Sequence, residues 1–307
     1  MTEKISFRNT EKYKAFTLIF ISSVSLIILV SQYNDVSDSI RCALKFCASN
    51  IIPSIFPFFI FADFLASGHY SDTFSSIAAR IFGVSENCVP ALICGTVCGF
   101  PSGVKWAYEL YKDGVISKRE LENIIGIVNI PSFAFSVCAV GLGMMKSLTD
   151  GLIIYLITVL ASIISSRLFC QKGQNIAKTA HFSRQSFSLT NSIKNAGFSS
   201  LVVSSYIIFF SIILKLLSNV IENENLYTLL ASFIEIGNAT FIISQSTFLS
   251  PVYKHILLGF AIGFSGISVH LQAFSQLPPE TSKTQYYKIK LSQGIICAVL
   301  YTFYKII

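Results

Sequence analysis

Charge is scarce in this sequence. Only 13% of its 307 residues are Asp, Glu, Lys or Arg, about half the share of an average soluble domain. Together with 52% hydrophobic residues and a mean hydropathy of +0.63, this excludes soluble, disordered and collagen-like chains and implies an integral membrane protein. No C-x-x-C occurs, and six of the eight cysteines (Cys47, Cys88, Cys94, Cys98, Cys138, Cys297) lie inside charge-free runs. A disulfide scaffold is therefore excluded, and Cys94 and Cys98, one helical turn apart, lack the histidines that would complete a metal site. No metal is expected. There is no Walker loop and no dinucleotide fingerprint, so nothing supports ATP-driven pumping. Glu235 and His270, without an activated nucleophile or an orienting third group, do not make an enzyme. The formal charge of +7 sits in loops, where it reports topology rather than a nucleic-acid surface.

What is present is a series of charge-free runs: 15–34, 46–62, 88–104, 124–145, 151–166, 195–214, 236–253, 256–277 with one histidine, and 291–304. Lys4, Arg8, Lys12 and Lys14 precede the first run, which reads as an anchor with a cytoplasmic N-terminus. Single crossings throughout would export the stretch 167–194, which carries five basic residues and no acid. Re-entrant hairpins at 88–111 and 226–248 keep it inside. Seventeen of the 23 basic residues are then cytoplasmic, Lys283, Lys288 and Lys290 among them, and Arg41, Lys45, Lys146, Lys215, Lys254 and Lys305 lie outside. Each hairpin run is interrupted by residues that oppose a continuous span in lipid: Gly99, Pro101 and Gly103 in one, Glu235, Gly237 and Asn238 in the other.

Residues 43–169 and 196–307 repeat one order of parts: a spanning helix, a hairpin, a broken helix and a final spanning helix. Three crossings per half invert the second repeat relative to the first. Residues 1–42 form the N-terminal segment and anchor, and 170–195 a basic cytoplasmic linker. The expected fold is an all-α integral membrane protein, an inverted-repeat transporter with two re-entrant helical hairpins and two broken transmembrane helices. The breaks fall at 129–132, where Pro131 removes an amide donor, and at 263–266, between Gly263 and Gly266. Interrupted helices expose amides that favour anions and carbonyls that favour cations. The expected solute site therefore gathers Gly99, Pro101, Ser102, Gly103 and Lys105 at the first tip and Asn129, Pro131 and Ser132 at the first break. At the second tip it takes Glu235, Gly237 and Asn238, and along the second broken helix Gly263, Ser265, Gly266, Ser268, His270 and Gln272. An acid in an uncharged stretch is costly in lipid, which singles out Glu235.

The motifs G-F-P-S-G-V-K (residues 99–105), P-S-I-F-P-F-F (53–59), N-I-P-S-F (129–133), E-I-G-N (235–238) and G-F-S-G-I-S-V-H-L-Q (263–272) resemble the sporulation integral membrane protein YlbJ family. Its members carry nucleoside-recognition, or Gate, domains, and their fold is similar to that of concentrative nucleoside transporters. The resemblance covers roughly residues 43–307. It departs from the family pattern at Phe100, Val104, Asn238 and Ala239, which bear on the choice of solute. The resemblance implies transport of a small anionic solute, dipicolinic acid during sporulation, in the cell membrane or outer forespore membrane. Nucleoside transport coupled to Na⁺ or H⁺ and a non-transporting membrane scaffold are the alternatives. No cofactor is implied beyond such a coupling ion. The expected partners are the solute, the bilayer and at most a second copy of the chain in a homo-oligomer.

Overall fold

The computed structural model describes residues 16–17, 19–20, 22–68, 70–170 and 188–307; the anchor and the basic linker thus lie partly outside the described residues. Among the described residues the protein is all-helical, with no strand. Its helices are α1 (Ser22–Ser31), α2 (Tyr33–Phe46), α3 (Ile52–Ser67), α4 (Asp72–Phe82), α5 (Val89–Val97), α6 (Ser102–Lys112) and α7 (Lys118–Val128). A widened π segment, Ala134–Met144, follows α7. The order continues with α8 (Leu148–Phe169), α9 (Leu189–Ser218), α10 (Glu224–Ile234), α11 (Ile236–Gln245), α12 (Pro251–Phe264), α13 (Gly266–Ser275) and α14 (Thr284–Ile306).

Among the described residues four helices are long and apolar enough to cross a bilayer: Tyr33–Phe61, Leu148–Phe169, Leu189–Ser218 and Pro251–Ser275. The bent pair Asp72–Phe82 and Glu86–Val97, which turns through 95°, would make a fifth. The protein is a multi-pass integral membrane protein. The exposed residues of α8 and α9 are large and apolar (Leu156, Leu160, Phe198, Leu201, Phe209), as a lipid-facing surface requires. Their buried faces carry Thr158, Ser162, Ser165, Ser200, Ser204 and Ser211, small polar residues that let neighbouring backbones approach.

The charged stretch before run 46–62 is helical: Asp35, Asp38, Arg41 and Lys45 fall within α2, which continues through a π turn (Cys47–Ile51) into α3. These charges recur at helical spacing, so α2 buries Val36 and Ala43 while keeping its polar face open.

Helix ends sort onto two faces. Ser282 donates its backbone N–H to Glu122 at 3.0 Å, and Gln285 hydrogen-bonds the Phe169 carbonyl, so the starts of α7 and α14 lie beside the end of α8. On the other face Lys305 pairs with Asp150 at 2.6 Å, joining the end of α14 to the start of α8.

Candidate functional site

Helix α7 stops at Val128 because Pro131 offers no amide to continue it; the chain turns at Asn129 (φ −89°, ψ 60°), and Ser132 restarts it by accepting the Phe135 N–H at 2.9 Å. Helix α12 stops where Ser265 and Gly266 both take left-handed φ, 73° and 79°. Each break is met by the turn between two short helices, α5–α6 at the first and α10–α11 at the second. At the first, the Phe100 N–H donates to the Ile130 carbonyl at 3.0 Å, and a Cβ placed on Gly99 would sit 2.3 Å from the Ser132 nitrogen. At the second, a Cβ on Gly266 would lie 3.0 Å from the Glu235 nitrogen.

The turn between α10 and α11 is a single residue, Glu235, 1% exposed. Its carboxylate accepts the Gly237 N–H at 2.9 Å, the Asn238 N–H at 2.6 Å and the Asn238 side-chain amide at 2.9 Å. Glu235 is thus the N-cap of α11, an anion held at the positive end of the helix.

The residue that ties the two breaks together is one that charge counting placed in a cytoplasmic loop. Lys290, on α14, is 0% exposed. Its ammonium donates to the Asn129 carbonyl at 2.9 Å, to Ser265 Oγ at 3.2 Å and to Gln293 Oε1 at 2.8 Å. Gln293 in turn donates to the Gly126 carbonyl at 3.1 Å, and Ser162 to the Ile127 carbonyl at 2.8 Å. Carbonyls left orphaned at the end of α7 are therefore met by side chains from α8 and α14. Beside them Asn129 donates to Tyr286 Oη at 2.6 Å, and that hydroxyl meets His270 Nδ1 at 2.8 Å. The sequence signal for Lys290 is the spacing of Tyr286, Lys290, Gln293 and Cys297, which form one buried face of α14.

Three cavities follow α9 in order. At its start, Asn195, Ser199 and Val202 line a vestibule of about 240 Å³ that also holds Pro101, Ser102, Lys105 and Gln276. Val203 and Ile207 line a central cavity of about 20 Å³, room for about one water. Ser211, Leu214, Lys215 and Ser218 line an open groove of about 610 Å³. The facing chain passes the same three in reverse: Asp38 to Asn50 along the groove, Ile51 and Ile55 at the centre, Phe59 in the vestibule.

The expected site residues divide accordingly. Ser132, Glu235, Gly237 and Gln272 line the central cavity, with Phe100 from the first tip. Pro101, Ser102 and Lys105 face the vestibule, and Asn238 faces the groove. Asn129, Ser265 and His270 belong to the cluster around Lys290 and Tyr286. Ser268 is buried, 0% exposed. Four of these groups, Asn129 Oδ1, Ser268 Oγ, His270 Nε2 and Gln272 Oε1, make no hydrogen bond within the protein. Gly103 and Gly263 are the second residue of α6 and the next-to-last of α12, beside the interruptions, and a Cβ there would meet the Val128 carbonyl at 2.6 Å and the Gln293 carbonyl at 2.4 Å. Their smallness serves helix packing. Among the described residues no three or more His, Cys, Asp or Glu side chains converge.

The chain is similar to the sporulation integral membrane protein YlbJ of Bacillus subtilis (strain 168), 23% identical over 299 residues that cover 81% of this chain and 72% of that protein. No family profile and no solved structure matches it.

Proposed function

We propose, from the premise that this chain is a relative of the sporulation integral membrane protein YlbJ, that it is a transporter and not an enzyme. It moves a small anionic solute, dipicolinic acid during sporulation, by alternating access. The observation that carries the reading is the row of cavities along α9, two wide and one narrow, with the broken backbone of both halves at the narrow one. Irregular backbone at membrane depth is tolerated where it lines such a path. In this reading residues 43–169 and 196–307 are inverted repeats and α5–α6 and α10–α11 are re-entrant hairpins. The vestibule, which Asn195 lines, opens to the cytoplasm. The solute enters on Lys105 and Ser102 and passes the tips between Ser132 and Glu235.

Two experiments test it. In a cysteine-free background, single cysteines at positions 113 and 223, both exposed, are expected to label from opposite sides of the membrane; same-side labelling removes the inverted arrangement. Purified protein in liposomes is expected to take up labelled dipicolinate. Lys105→Gln, which removes one charge-assisted hydrogen bond, is expected to weaken apparent affinity about 10- to 100-fold at unchanged abundance.

One observation favours the nucleoside reading instead. The α11 amides an anion would seek are already held by Glu235, and an acid beside Asn238 and Gln272 suits ribose hydroxyls. Uridine offered to the same liposomes separates the two: uptake of uridine and not dipicolinate would replace the anion assignment.

A further inference from the structure

The C-terminal ends of two interrupted helices, α7 and α12, meet at one point. The residues that cap them offer a backbone carbonyl, Asn129 O, and a hydroxyl, Ser265 Oγ; Gln293 Oε1 completes a set of three neutral oxygens. Helix C-termini carry negative partial charge, and unwound carbonyls at such ends are where transporters with broken helices bind a coupling cation. The three oxygens are all taken by the three donors of a single ammonium. No carboxylate is among its hydrogen-bond partners.

We infer that Lys290 is a built-in cation that occupies a coupling-ion site, so that this protein neither binds nor requires Na⁺ there. The inference deepens the transport reading and rests on it for the word coupling. The site itself is defined by the oxygens alone. A tethered charge also fastens the two halves together: Asn129 belongs to the first, Ser265, Lys290 and Gln293 to the second.

Thermal melting of the purified protein in detergent, compared in NaCl and choline chloride of equal ionic strength, tests the site without any transport assay. The wild type is expected to melt at the same temperature in both salts. Lys290→Ala leaves three oxygens around an open space; it is expected to melt lower than wild type and to regain at least about 2 °C in NaCl but not in choline chloride. Lys290→Met, which fills the space with an apolar chain, is expected to gain nothing from Na⁺. Stabilisation of the wild type by Na⁺, or indifference of Lys290→Ala to it, would overturn the inference. Should Lys290→Ala fail to accumulate, wild-type uptake into Na⁺-free liposomes decides: equal rates with and without Na⁺ support a tethered cation, and a Na⁺ requirement refutes it. Sodium binding by Lys290→Ala in a protein that moves no solute would keep the site and remove the transport reading.

Discussion

Gly99→Ala is expected to remove most of the protein from the membrane, whereas Gly114→Ala is expected to be tolerated. Both glycines have φ +70°, so both substitutions carry the left-handed penalty of about 1–2 kcal/mol. They differ in surroundings. A Cβ at position 114 meets nothing within 4 Å, but one at position 99 would lie 2.3 Å from the Ser132 nitrogen and 2.7 Å from its Cα. Those atoms are backbone at the first break and cannot swing aside. Overpacking adds about 1–3 kcal/mol, making a total of about 2–5 kcal/mol for Gly99→Ala, a large part of a typical folding stability. Membrane abundance and melting temperature of the two variants, measured side by side, check this. Equal abundance would mean that the first tip and the first break are not in contact.

Glu235→Gln is expected to lower abundance, and Glu235→Ala to lower it further. The carboxylate receives three hydrogen bonds, two of them from backbone amides of α11. Gln has one acceptor oxygen where Glu has two, so its amide nitrogen must face one of these donors. A lost charge-assisted bond costs about 1.5–3 kcal/mol. Alanine leaves the buried Gly237 N–H and the Asn238 N–H without that acceptor, so its effect is larger. Uptake per molecule measured on the same preparations separates capping from solute contact. If Glu235 only caps, Gln reduces the amount of protein and not its turnover; a further fall in turnover would place the solute against the carboxylate.

The interruptions were legible in the sequence because Pro131, the Gly99–Pro101 turn and an acid at 235 oppose a continuous helix whatever surrounds them. The stretches 88–111 and 226–248 each hold a pair of short helices, α5–α6 and α10–α11. What was not legible depends on partners distant in sequence. Lys290 lies near Lys283 and Lys288, and counting charges treats all three as solvated. Its burial follows from Asn129, 161 residues away, which supplies the acceptor. Gly103 and Gly263 look the same in sequence as the glycines that turn the chain; only the neighbouring Val128 and Gln293 backbones show that they serve close packing. The sequence marks Glu235 as a costly acid but does not show that the amides of Gly237 and Asn238, at the start of the helix it caps, compensate it.

The narrow centre along α9 also has an electrical consequence. In the transport reading proposed above, water in the vestibule and the groove would let both conduct, and nearly all of a membrane voltage would fall across the narrow centre between them. From Val203 to Ile207, 5% and 3% exposed, α9 rises about 6 Å, against about 30 Å for the hydrocarbon core. The field there would be about five times steeper than in the surrounding lipid. An elementary charge passing those two side chains exchanges the full value of about 2.3 kcal/mol per 100 mV in one short step. A charged solute would therefore feel the membrane potential at a single place, beside Ser132 and Glu235, and at almost no other point of its passage.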